Sequence, residues 1–277
     1  MMMPRKKRPS LKTPLPGSRT ITPGDRSSTA NTLVLTATIT PPQGVTNLSR
    51  VDPGIRLDDY CRAFDFYCRM LAEGTISQLI FAENSGSDIS RLRDLAEKYG
   101  VSRNTEFICY PGLDYPPEYG RGYGEFKMID KVMKSSRLIQ NLQAHENIWK
   151  ITGRYILRNI ATIIATRPPH ADFYCHCRDI PIPWIDLFVL SWNKKGYAEV
   201  LDDIYLHLQE STTHVSSEQG FRKLIDESRI KSGIVKRFRT IPQLEGYRGV
   251  DSHQYEKMDL KLKMRKLANV FVPWWWI

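Results

Sequence analysis

Four short apolar runs alternate with amphipathic segments over residues 32–160, and that rhythm limits the chain more than any single motif. Leu33-Val34-Leu35-Thr36-Ala37-Thr38-Ile39 is rich in β-branched and apolar residues, as a central strand is, and Pro41-Pro42 stops it. Asp58 to Ala72 places Tyr60, Phe64, Tyr67 and Leu71 on one helical face, and Gly74 ends it. Gln78–Ala82 predicts a second strand, and Asp88 can cap a helix running to Lys98. Glu106–Tyr110 predicts a third strand. A glycine-rich loop (Gly120, Gly122, Gly124) and a helix with Ile129, Val132 and Met133 at i, i+3, i+4 follow. Trp149 and Ile151 then alternate along a fourth strand. The order β-α-β-α-β-α-β predicts an α/β protein with a Rossmann-type, mostly parallel central sheet and helices on both faces. Right-handed crossovers bring the strand-end turns to one edge. Ala37-Thr38, Asn84-Ser85-Gly86, the glycine loop and Thr152-Gly153-Arg154 meet there, and open α/β sheets bind ligands at that edge.

Beyond Pro168 the pattern predicts strands over Asp172–Cys177 and Ile185–Ser191, helices over Gly196–Leu208 and Ser217–Ser228, and a last strand over Lys236–Pro242. Tyr255 to Phe271 reads as a basic helix leading into Trp274-Trp275-Trp276. Three regions follow: a basic tail over 1–31, rich in Pro, Ser and Thr and without apolar periodicity; a folded unit over 32–250; and a basic, Trp-rich segment over 251–277.

The formal net charge of +10 sits at the two ends: +6 over 1–31 and +7 over 229–277, which leaves −3 on the body. Nucleic-acid binding prefers a basic stripe on the folded body, so that partner is disfavoured. No run of about 18 uncharged apolar residues predicts a transmembrane helix. The charged N-terminus is not followed by the apolar core of a secretory signal. Five cysteines do not read as a disulfide framework, and reduced cytoplasmic thiols are the simpler expectation. Strand alternation sends Cys175 and Cys177 to one face and His176 to the other, which disfavours zinc. GxGxxG is missing from the first strand, and neither a phosphate-binding P-loop nor a serine nucleophile elbow is present.

Among the chemistry-bearing residues, Arg154 leads. A guanidinium at a strand end can grip a phosphate or carboxylate with two hydrogen bonds, or serve as a structural ion pair at the sheet edge. Glu125, Asp179, Asp186 and Glu218 all fall near element ends. A general base needs a carboxylate within reach of an acceptor hydroxyl, but acids at such positions also cap helices or pair with arginines.

The ordered set ATITP, ENSG, YGRGYGE, KITGRYILRNI and DFYCHCRD resembles bacterial glycosyltransferase-like proteins associated with surface polysaccharides, which have a GT-A-type nucleotide-sugar fold. The resemblance covers about residues 32–250. It implies a glycosyltransferase moving a sugar from a nucleotide-sugar donor to a cell-surface polysaccharide or lipid-linked glycan; the alternative is a non-catalytic nucleotide-sugar-binding or assembly protein. The donor base would lie near Ala37, Thr38, Asn84, Ser85 and Gly86. Arg56 would reach the phosphates, and Gly122, Glu125, Lys150, Thr152 and Gly153 would line the donor site. Asp186 or Glu218 would act as base, and Arg154 would stabilise the departing diphosphate. GT-A enzymes usually place an Asp-x-Asp pair, holding manganese or magnesium, where this chain has Thr152-Gly153-Arg154. Metal dependence is therefore optional here, with Asp179 beside Arg178 as the fallback acid. Lysines and tryptophans at the C-terminus suit the cytoplasmic membrane surface, so the expected location is cytoplasmic with peripheral membrane contact.

Overall fold

The computed structural model describes residues 30–44, 48–228 and 232–247. The expected tail over 1–31, apart from Ala30 and Asn31, and the expected helix over Tyr255–Phe271 lie outside them.

The strands and helices in chain order are β1 (Asn31–Ala37), α1 (Pro53–Ala72), β2 (Gln78–Glu83), α2 (Ser90–Lys98), β3 (Thr105–Cys109), α3 (Gly120–Ser135), α4 (Arg137–Gln140), β4 (Asn147–Thr152), β5 (Ile156–Leu157), α5 (Ile160–Ala165), β6 (Phe173–Tyr174), β7 (Cys177–Arg178), β8 (Trp184–Ile185), β9 (Val189–Trp192), α6 (Lys194–Gly196), α7 (Glu210–Thr213), α8 (Ser217–Glu227), β10 (Ile234–Val235) and β11 (Leu244–Glu245). Seven strands form one sheet in the order β10-β6-β9-β4-β1-β2-β3. β1 pairs parallel with β2 and β4, and β2 with β3; only β9 runs antiparallel to its neighbours β4 and β6. The parallel α/β sheet predicted from the strand-helix rhythm is the observed architecture.

Alternation along the buried strands divides the core in two. Leu33, Leu35, Trp149 and Ile151 pack with Tyr60, Phe64 and Tyr67 of α1. Val34 and Ile148 belong to the opposite core, with Phe126, Ile129 and Val132 of α3 and Phe221 of α8. Every second residue of β1 and β4 thus faces α3, including Thr36, Lys150 and Thr152, which the register places side by side.

Several boundaries differ from the sequence expectation. α1 begins five residues early because Asp52 accepts the Ile55 amide at 2.8 Å and Pro53 fills the first turn. The glycine-rich segment is the first turn of α3, not a loop. Gly122 is required there by close approach: a Cβ would lie 2.1 Å from Ser217 Oγ. The helix expected over Gly196–Leu208 is broken into short turns where Asp203 takes φ +53°. The strand expected over Lys236–Pro242 is replaced by the short β10 and β11 on either side. Cys175 and Cys177 lie in the α3-side core with their sulfurs 3.8 Å apart, while His176 stacks on Phe238 of the α1-side core.

Candidate functional site

The chain runs β1, β2, β3 outward and then returns, through α3, to β4 on the other side of β1. Neighbouring strands therefore lead away from each other at the β1–β4 junction, where a crevice opens at their C-terminal ends. A cleft of about 270 Å³ occupies that position. Of the predicted residues, Ala37, Thr38, Arg56, Gly122, Glu125, Thr152, Arg154, Asp186 and Glu218 line it.

The cleft floor is a polar cluster buried between α3 and the sheet. Glu125 Oε1 accepts hydrogen bonds from Thr36 Oγ1 at 2.6 Å and Thr152 Oγ1 at 3.1 Å, and pairs with Lys150 Nζ at 2.7 Å. Lys150 is completely buried and also donates to Thr152 Oγ1 and the Leu187 carbonyl. Burial alone would raise the Glu125 carboxyl, but the Lys150 ammonium, the Thr36 hydroxyl and Arg154 outweigh it and hold the pKa below its ordinary value. Burial pulls the Lys150 ammonium down, opposed chiefly by Glu125. The other Glu125 oxygen takes no hydrogen bond among the described residues, and the side chain remains 21% exposed at the cleft. Lys150 thus supports the floor from beneath and does not line the cleft.

Arg154 follows the end of β4. Its Nε donates to the Tyr247 carbonyl at 3.3 Å, one terminal nitrogen donates to Tyr155 Oη at 3.2 Å, and the group lies 4.8 Å from the Tyr155 ring centre. Among the described residues no carboxylate lies within ion-pair distance of it, and its second terminal nitrogen has no hydrogen-bond partner. Among the described residues, a structural ion pair does not account for this guanidinium. Gly153 serves packing and does not reach the cleft. Its amide bonds the Thr36 carbonyl at 2.8 Å, and a Cβ would stand 2.8 Å from that same oxygen.

The opposite wall carries the other acids. Asp186 is almost buried and paired with Arg178 at 2.8 Å. Glu210 Oε1 accepts from the amide and the hydroxyl of Ser217, at 3.1 and 2.8 Å. Glu218, in the first turn of α8, has no ion-pair partner among the described residues. Burial pushes its pKa up, with Glu210 and Glu125 adding to the rise and Arg121 opposing it.

The structure corrects other placements. Arg56 touches the cleft, but its guanidinium is committed to the backbone. It donates to the Thr38 carbonyl and to the Arg50 carbonyl at 3.0 Å, so it holds the loop after β1 and does not reach outward for phosphate. Asn84 and Ser85 bond the same loop, at Thr38 Oγ1 and the Thr40 amide, and neither they nor Gly86 line the cleft. Asp179 is exposed, pairs with Arg222 at 2.7 Å and lies off the cleft. Arg121, Tyr155, Arg178, Trp184 and Glu210 also line it. Sequence reasoning assigns no site role to Arg121, Trp184 or Glu210; it expects Tyr155 only at the fourth strand's end and Arg178 only as the neighbour of Asp179.

The end of β4 does not offer the acid pair that would hold a diphosphate-bound divalent ion. It presents a cation, and two of the four cleft acids are neutralised, Glu125 by Lys150 and Asp186 by Arg178. Among the described residues the only group of three clustered acids is Asp130, Asp202 and Asp203, which lies away from the cleft and is bridged by Lys134.

Fold and cleft together define an open, mostly parallel α/β protein with a polar ligand cleft at the strand-order switch. The chain matches no family model and no curated protein. It is similar to solved structures, among them the following. A protein described as a nucleotide-diphospho-sugar transferase from Desulfovibrio desulfuricans G20 shares 13% identity over 75% of this chain and 80% of that one, with a TM-score of 0.40. The galactosyltransferase LgtC, solved with donor and acceptor sugar analogues, shares 9% over 74% and 72%, with a TM-score of 0.43. A 4-diphosphocytidyl-2C-methyl-D-erythritol synthase shares 7% over 86% and 97%, with a TM-score of 0.39. At so remote a likeness, any function has to be carried by the cleft's own side chains.

Proposed function

We propose that the protein is a glycosyltransferase that moves a sugar from a nucleotide-sugar donor to a glycan of the cell surface or to a lipid-linked glycan. The single observation that carries this reading is that one cleft is lined by a guanidinium with no carboxylate within ion-pair distance among the described residues (Arg154) and by a half-buried carboxyl whose pKa is raised (Glu218). The diphosphate of the donor sits against Arg154, whose remaining N–H groups match phosphate oxygens, and near the N-terminal turn of α3, whose Gly120 and Gly122 line the cleft. The open oxygen of Glu125 accepts from a hydroxyl of the bound donor.

Glu218 takes the proton of the acceptor hydroxyl. The acceptor oxygen forms a bond to the anomeric carbon, the bond from that carbon to the diphosphate oxygen breaks, and its electron pair leaves with the diphosphate. Arg154 stabilises the charge that develops there, in place of a metal ion. Asp186, already paired with Arg178, is the weaker candidate for the base and positions the cleft wall.

The test is thermal unfolding of the full chain with UDP-, GDP- and CMP-sugars, with and without manganese. A nucleotide sugar should raise the melting temperature, manganese should add little, and Arg154→Ala should abolish the shift. No stabilisation by any nucleotide sugar would end this reading. Binding without donor hydrolysis or transfer would leave a non-catalytic binding protein.

A further inference from the structure

Among the described residues six large apolar side chains are exposed, between 38% and 58%: Val51, Ile55, Ile180, Ile182, Leu206 and Val215. They fall on segments that also supply the cleft lining. Ile55 precedes cleft-lining Arg56, Val51 follows cleft-lining Leu48 by three residues, and Val215 precedes cleft-lining Ser217 by two. Leu206 follows Tyr205, whose ring packs edge-on to Tyr123 at 5.3 Å, beside cleft-lining Gly122. Ile180 and Ile182 lie between Arg178 and Trp184, which pair across the β7–β8 hairpin and both line the cleft. Five of the six lie within three residues of a cleft-lining one, so by chain position they gather on the segments that make up one mouth, whereas isolated surface hydrophobics need no explanation.

The hairpin tip has the make-up of an interfacial anchor. All five of its residues, Asp179-Ile180-Pro181-Ile182-Pro183, are exposed. Its two prolines present no N–H group that would need water. Its single acid is paired with Arg222, and the Arg237 guanidinium lies nearby. The acids flanking Ile55 are also engaged: Asp52 caps α1, and Asp58 pairs with Arg91 at 2.8 Å.

The described chain ends at the same mouth. The Tyr247 carbonyl accepts from Arg154, and its ring lies 4.3 Å beneath the Arg50 guanidinium. The 30 residues that follow carry six Lys/Arg against three acids and end in Trp274-Trp275-Trp276-Ile277. An apolar rim and a basic, aromatic segment leaving from it supply two membrane signals at one place, and stable attachment needs two.

We propose that this rim, centred on the β7–β8 hairpin tip, seats the protein on an anionic phospholipid bilayer with the cleft mouth turned toward the membrane. The inference concerns a surface and stands whether or not the cleft takes a nucleotide sugar.

The test is co-sedimentation of the full chain with vesicles of equal parts phosphatidylglycerol and phosphatidylcholine. I180S/I182S should lower vesicle partition at least about tenfold with the melting temperature unchanged, since removal of two apolar side chains from an interface has an effect of that order. V51S/I55S should lower it by a smaller factor. Unchanged partition in both double variants would overturn the proposal and assign binding to the C-terminal segment. A lowered melting temperature with unchanged partition would also overturn it, because the rim would then be covered by the chain itself. Loss of a dimer in sedimentation velocity, with no vesicle binding by the parent protein, would assign the rim to a second copy.

Discussion

Glu125 and Glu218 face one cleft from α3 and α8; burial raises both carboxyls, yet their net shifts are opposite. On the α3 side, Glu125 stands over a buried lysine and two threonine hydroxyls that the β1–β4 register places side by side, and it is held ionised. On the α8 side, Glu218 has no such counter-charge and two acids as neighbours, so it is pushed toward the neutral form. Burial alone does not decide which acid a protein uses for proton transfer; the charge behind the acid does. In the proposed reaction the first wall binds and the second exchanges a proton.

The sharpest way to break this contrast is to remove the charge beneath the floor. Lys150→Met should cost about 3–5 kcal/mol in urea unfolding, because it leaves the Glu125 carboxylate buried and uncompensated. The double variant Lys150→Met/Glu125→Gln should recover most of that loss. If the single variant is as stable as the parent, the ion pair is not what holds the floor.

On the other wall, Glu218→Gln should lower kcat by about 10²–10⁴-fold while the nucleotide-sugar thermal shift survives. The two acids should also part in their pH dependence. Glu125 has a folded pKa below its ordinary 4.5. Its stabilisation is complete above that ordinary value and is lost as pH falls through the folded one. Glu218 is shifted above its ordinary 4.5, so the acid limb of kcat/KM should lie above that value and disappear in the glutamine variant. An acid limb unchanged by Glu218→Gln would assign the base elsewhere, with Asp186 next.

The smallest effect serves as the control. Asp179→Asn removes an exposed pair with Arg222 and should change stability by less than about 1 kcal/mol and activity not at all. A large loss of activity would return Asp179 to the site from which its placement removes it.

The order of strands and helices could be read directly, because hydrophobic period is a local property. Leu33 and Leu35 against Val34, or Trp149 and Ile151 against Lys150 and Thr152, announce which residues share a face. The same alternation marked Arg154 as following a strand end at the ligand edge. The weak elements escaped for a matching reason. β6, β7, β8, β10 and β11 are two residues each, too short to carry a period, and their positions come from pairing with distant segments.

Side-chain commitments were also beyond reach of a one-dimensional reading. Arg56 and Arg154 look alike along the chain, yet the first is spent on the Thr38 and Arg50 carbonyls and the second, among the described residues, keeps part of its fork open. Asp179 and Glu218 are both acids near element ends, yet one meets Arg222 outside the cleft and the other meets no cation within ion-pair distance among the described residues. The amino-acid sequence by itself determined the sheet, its parallel core and the edge where the cleft opens, because strand period and crossover handedness act over a few residues at a time. Only the tertiary structure decided which guanidinium is committed to the backbone and which carboxyl is pushed up, because those depend on groups that folding brings together, such as the Thr38 carbonyl at Arg56 and Glu125 near Glu218.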